Sequence, residues 1–280
     1  MFWKSTYNEL LKISAKPRSY IGLGAITLII CIILFAMRLD GMTYLSFIMQ
    51  LFDQSLSFQG NILNGHLVAF IILQMLIVHI PLLIALVTGD LISGESAMGT
   101  IRLLLTKPIS RTSIFFSKYL AGCIYTFIIL LWIGFLALFV SKAMFGSGDM
   151  LILKSSGLAI IQEQDVMWRF LSAFGIAYLG LVMIATLSIA LSSFSENSIG
   201  PIVLTMAIII LFTIIGALDV AVLDVVRPFL FTTHMSTWNS FFEDPLPKEQ
   251  IMTSAGALLL QIAGLLWISI YQFNRKDILS

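Results

Sequence analysis

The chain contains six predominantly apolar runs, at 19–37, 67–87, 119–140, 171–192, 199–218 and 254–271, each about as long as a bilayer is thick. At 1.5 Å of rise per residue, roughly 20 helical residues cover the ~30 Å hydrocarbon core. Within that core every backbone N–H and C=O must find its partner inside the segment, so such runs fold as transmembrane helices. Charge content agrees, because 11% of the residues are charged where soluble chains average about 25%. The expected fold is an all-α membrane protein with six transmembrane helices. An N-terminal segment, 1–18, precedes one transmembrane domain, 19–280, which no repeat, low-complexity tract or flexible linker divides.

An even number of crossings leaves both termini on one side, and the positive charges say which. Lys4, Lys12, Lys16, Arg18, Arg102, Lys107, Arg111, Lys118, Arg275 and Lys276 fall in the segments 1–18, 88–118, 193–198 and 272–280, leaving six of the sixteen cations for the longer connections opposite. Lys and Arg are retained inside during insertion, so both termini are expected in the cytoplasm. The first run leads into Arg38-Leu39-Asp40 with no small-residue cleavage site, the mark of a retained anchor and not of a signal peptide. A net charge of +1, without a basic stripe carrying interleaved aromatics, argues against nucleic acid. Cys31 and Cys123 lie singly within apolar runs and read as packing thiols.

Ahead of the first run, Trp3, Tyr7, Leu10, Leu11 and Ser14 share one helical face while Lys4, Asn8, Lys12 and Lys16 share the other. That pattern describes a helix lying in the membrane interface, either as a plain anchor or as a lever touching a cytoplasmic partner. A second surface helix is expected in the 88–118 connection, at about 94–107. There Met98, Ile101 and Leu105 give it an apolar face, Pro108 stops it, and Thr112 can cap the helix that follows.

The same connection carries a family resemblance. Its run Glu95-x-x-x-Gly99-Thr100-x-Arg102-x-Leu104-Leu105-x-x-Pro108-x-Ser110-Arg111, with Lys118 ahead of the third run, resembles the signature of ATP-binding-cassette (ABC) transporter type-2 permeases. The N-terminal interfacial helix, the six crossings, the short 194–198 turn and the 273–277 tail fit that family too. The resemblance implies an exporter-like permease subunit in a prokaryotic cytoplasmic membrane. It also implies two cytoplasmic ATPase subunits as partners, and a second permease chain, identical or related. The 94–107 segment would then be the coupling helix that meets the ATPase. By this resemblance Glu95 holds the junction between span two and the coupling helix, and Gly99 and Thr100 allow close approach. Arg102, Lys107 and Arg111 contact the ATPase or lipid phosphates, while Pro108 and Ser110 set the turn into span three. No G-x-x-x-x-G-K-S/T phosphate loop occurs, so ATP and Mg would be bound by the partner and this chain would carry no cofactor, metal site or catalytic residue.

Few polar groups lie at membrane depth. Gln74 and His79 do, close to Pro81, whose missing N–H should bend the second span. Either the His side chain satisfies groups freed by the bend, or both residues border a substrate path between protomers. No series of buried carboxylates relays protons, which weakens a secondary-transporter reading, although Asp90, Asp219 and Asp224 lie near span ends. The outer connections are acidic, a solvated face or an attraction for cations or an extracytoplasmic accessory protein. In the third of them 218–238 is apolar but broken by Asp219, Asp224, Arg227 and Pro228, so it is expected to re-enter the outer leaflet without crossing.

Three functions are therefore weighed. The leading one is the permease of an ATP-driven exporter. The alternative is a mechanotransmitter that passes the ATPase stroke to an extracytoplasmic partner without moving cargo. A membrane-embedded hydrolase comes last, since His66, His79 and His234 are far apart and no H-E-x-x-H or G-x-S-x-G motif occurs.

Overall fold

The computed structural model describes residues 2–50, 63–76, 79–105, 109–154 and 157–275. The helices are α1 (Phe2–Ala15), α2 (Pro17–Gln50), α3 (Gly65–Leu76), α4 (His79–Thr88), α5 (Ser93–Ala97), α6 (Thr100–Leu105), α7 (Arg111–Gly134), α8 (Ser141–Phe145), α9 (Glu163–Phe194), α10 (Ile199–Ala217), α11 (Phe231–Met235) and α12 (Lys248–Arg275). A π-helical stretch, Phe135–Val140, joins α7 to α8 into one long rod. Six helical stretches are long and apolar enough to cross a membrane, and the chain is an all-α membrane protein in that sense.

The second run, expected at 67–87, is helical where it is described: α3 ends at Leu76 and α4 begins at His79, with residues 77 and 78 outside the described ones. His79 turns its Nδ1 to the Met75 carbonyl, four residues back, at 3.1 Å.

At the centre stands α9, which packs against α4, α7, α10, α11 and α12. Small residues make this possible. Ser188 donates to the Ala85 carbonyl at 3.2 Å, and a side chain at Gly89 would strike Ser188 and Ile202. In a bilayer such close approach substitutes for the hydrophobic drive that lipid removes. Ile30, Ile72, Ile84, Phe115, Ile184 and Phe242 fill the core. Leu28, Phe35, Leu211, Leu260 and Trp267 point outward, where acyl chains take the place of water. Cys123 is buried and Cys31 faces outward.

The three segments that carry the ten cations, 1–18, 88–118 and 272–280, meet at one end of the bundle through Lys12–Glu95, Lys16–Asp90 and Arg111–Asn274 contacts, and the end of α9 joins them through Ser192–Ser93. At the other end Asn64 caps α3, accepting from Leu67 N at 3.0 Å, and its amide donates to the Asp149 carbonyl at 2.6 Å. Asp149 in turn accepts from Glu163 N, starting α9. One element was not foreseen, an antiparallel hairpin of β1 (Met150–Lys154) and β2 (Gly157–Ile161), with Met150 opposite Ile161. The 218–242 stretch forms short helical turns and does not cross. Gln261, well inside α12, donates to the Phe229 carbonyl at 3.0 Å, so the turn sits against the flank of a spanning helix. Val222, Val225 and Phe229 are exposed there, while Arg227 pairs with Asp224 and Asp219 and donates to the Leu218 carbonyl.

Candidate functional site

At the basic end α1, the start of α5 and the start of α7 converge on four charged side chains. Lys12 Nζ lies 2.7 Å from Glu9 Oε1 and 2.6 Å from Glu95 Oε1. Lys118 Nζ lies 2.8 Å from Glu9 Oε2 and 2.7 Å from Glu95 Oε2. Signs alternate around this ring, each carboxylate bridges both ammoniums, and the sum is neutral. Lys118 is wholly buried, Glu9 and Glu95 nearly so, and only Lys12 reaches solvent, its side chain 44% exposed. Burial alone would lower the pKa of Lys12, but hydrogen bonds and charges from Glu9 and Glu95 outweigh it and hold the value above 10.5.

Next to the ring, Asp90 pairs with Lys16 Nζ at 2.6 Å and with Arg18 Nη1 at 3.0 Å. Gly94 has to be glycine because a side chain there would collide with the Asp90 carboxylate. Ser192 of α9 pins the same turn, accepting from Ser93 N at 2.8 Å and donating to Ser93 Oγ at 3.1 Å. Displacing α5 alone would strand carboxylates without cations, so α1, α5, α7 and α9 are bound to move together.

Beyond the anchor the connection projects. The expected single helix at 94–107 is instead α5 and α6, broken at Gly99, whose φ of +70° is one that glycine adopts freely. Apart from its chain neighbours, no atom of the described residues lies within 4 Å of a side chain built at Gly99, so the backbone conformation is what accounts for this glycine. The break separates Met98 from the face it was expected to share: Met98 is 63% exposed and Leu103 70%, whereas Ile101 is buried. Thr100 Oγ1 donates to the Glu95 carbonyl at 3.3 Å. The side chain of Arg102 and all of Lys107 and Pro108 lie outside the described residues. Arg111 donates to the Asn274 carbonyl at 3.1 Å, tying α7 to the end of α12. The cap of α7 is Ser110, which accepts from Ser113 N, and not Thr112, because Ser110 holds the extended conformation ahead of the first helical residue.

The α1 helix presents Trp3, Tyr7 and Leu11 outward and turns Thr6, Glu9 and Ile13 to the bundle, with Ser5 donating to Ser117 Oγ at 3.1 Å. Lys4, Asn8 and Lys12 are exposed beside Trp3, Tyr7 and Leu11, so the outward side of α1 carries apolar side chains next to cations. Glu9 was missed from sequence, although it is the one acidic residue among the first 39. Gln74 accepts from Asn239 Nδ2 at 2.8 Å and lines a cavity, while His79 faces away from it. No cluster of three or more His, Cys, Asp or Glu side chains able to hold a metal occurs among the described residues.

Over residues 27–279 the chain matches a family described as protein of unknown function (DUF2705). It belongs to that family. The match begins within α2 and takes in Asp90, Glu95 and Lys118, but not Glu9 or Lys12, so the ionic ring straddles its boundary. No curated protein matches the chain.

Proposed function

We propose that this chain is the membrane-spanning permease subunit of an ATP-driven transporter, with the basic end as its input and the 93–105 projection as its contact with a separate ATPase that binds ATP and Mg. One observation carries this reading. A projection with Met98 and Leu103 exposed at its tip is rooted, through Glu95, in a buried ring of charges that also holds α1 and α7. Apolar tips of this kind are docking material. A root that cannot give way without stranding charge transmits a push to the helices behind it as rigid-body motion. The resemblance of the Glu95–Arg111 run to type-2 permeases points the same way and makes export the expected direction, from a cytoplasmic membrane with both termini inside.

The test is reconstitution of the chain with candidate cytoplasmic ATPase subunits from the same cell. Cysteine at Met98 should cross-link to one of these subunits, and Glu95→Ala should uncouple ATP turnover from the permease, lowering any stimulation of the ATPase at least five-fold. Full coupling in Glu95→Ala together with no cross-link at Met98 or Leu103 would reject the proposal.

A further inference from the structure

A cavity of about 320 Å³ lies between the second crossing, α10 and the 231–239 stretch, and Gln74, Thr213, Thr232, Thr233, Ser236 and Asn239 supply its polar wall. We propose that this cavity binds one uncharged amphiphile, a molecule with an apolar body and a hydroxyl- or amide-bearing head. The site stands apart from the transport reading, because its occupancy is a property of this chain alone.

Four features of the cavity carry the inference. Thr232 Oγ1 and Thr233 Oγ1 are buried and have no hydrogen-bond partner among the described residues. Buried polar groups almost always find one, so the partner comes from outside. Every polar lining group is a neutral hydroxyl or amide, and a charged head would meet no counter-charge at membrane depth, where that is costly. The rest of the wall, with Pro81, Ile209 and Met235, is apolar, which suits a hydrocarbon body. The volume falls in the range of small-molecule sites, about 300–1,000 Å³. Depth gives the route of entry: from Gly65 at the start of α3 to Gln74 is roughly 14 Å of helix, so the ligand arrives from the bilayer.

The experiment uses the purified full chain in phosphatidylcholine nanodiscs and three photoreactive diazirine probes with the same ten-carbon chain, ending in an alcohol, a carboxylate or a trimethylammonium group. The alcohol should label peptides spanning 205–217 and 231–239 saturably, and excess unlabelled 1-decanol should lower that labelling at least five-fold. The two charged probes should label only lipid-facing positions such as Leu260 and Trp267. The pair Thr232→Val with Thr233→Val keeps side-chain shape, removes only hydroxyls that bond nothing among the described residues, and should cut cavity labelling at least five-fold. Gly216→Phe, which grows a ring into the void and leaves both hydroxyls in place, should abolish it. Equal labelling by all three heads, labelling spread along the lipid-facing helices, or undiminished labelling in the valine pair would each overturn the proposal. If Gly216→Phe fails to fold, the valine pair decides alone.

Discussion

The two ends of the bundle are built from different interactions. At the basic end three buried carboxylates, Glu9, Asp90 and Glu95, meet Lys12, Lys16, Arg18 and Lys118 at salt-bridge distance. Toward the opposite end the buried contacts are neutral: His234 receives from Ser254, which receives from Thr237, and the second His234 nitrogen donates to the Pro228 carbonyl at 2.7 Å. Even the buried Arg169 is met by the carbonyls of Phe241 and Glu243. A neutral hydrogen bond can be traded for another at little cost, whereas a buried ion pair cannot be half broken without exposing a bare charge to low dielectric. One end is therefore suited to carrying force unchanged, and the other to rearranging around what it holds.

The sharpest way to break this contrast is Lys118→Met, which leaves Glu9 and Glu95 facing each other with Lys12 alone. It should cost about 3–5 kcal/mol, read as a lowered melting temperature in detergent, and Glu9→Gln in the same chain should return part of it. A wild-type melting curve for the single variant would show that the ring is ornamental. Gly94→Ala, by driving the Asp90 carboxylate away from Lys16 and Arg18, should cost about 1–3 kcal/mol in the same assay. Gly99→Ala tests the projection instead of its root: with open space around it, only the φ of +70° opposes the change, at about 1–2 kcal/mol.

Smaller still is the effect of pH. Because the folded pKa of Lys12 is raised above 10.5, its contribution is complete below that value and fades as pH climbs through the folded pKa. The difference in melting temperature between wild type and Lys12→Met should stay constant from neutral pH to about 10, then close above it. Last, Thr232→Val with Thr233→Val should change stability by no more than about 0.5 kcal/mol, since both hydroxyls bond nothing among the described residues. A large loss there would mean that the neutral end is as tightly specified as the charged one.

Most of the architecture was readable in the residues because hydropathy is a sum over some twenty positions and tolerates local error. The six runs fall on helical stretches of matching position, the second with residues 77 and 78 outside the described ones, and the charges within 218–238 accord with its short helical turns. What escaped depended on single residues or on distant partners. The surface helix was drawn through Gly99 because apolar spacing does not register a backbone angle. The hairpin at 150–161 lay in a short run with too few residues for alternation to show. Glu9 read as a lone acid on a basic helix, since beyond its local pair with Lys12 its second partner, Lys118, is 109 positions away. Glu95 was singled out by the resemblance, and nothing in local pattern foretold the two lysines that hold it.

That separation has a consequence for how the protein is made. At roughly 5–20 residues per second, the ribosome delivers Lys118 some 5–20 seconds after Glu9, once two crossings have entered the bilayer. During that interval Glu9 has only Lys12, three residues along the same helix, as its counter-charge, and closing the ring around Lys118 is a late event in assembly.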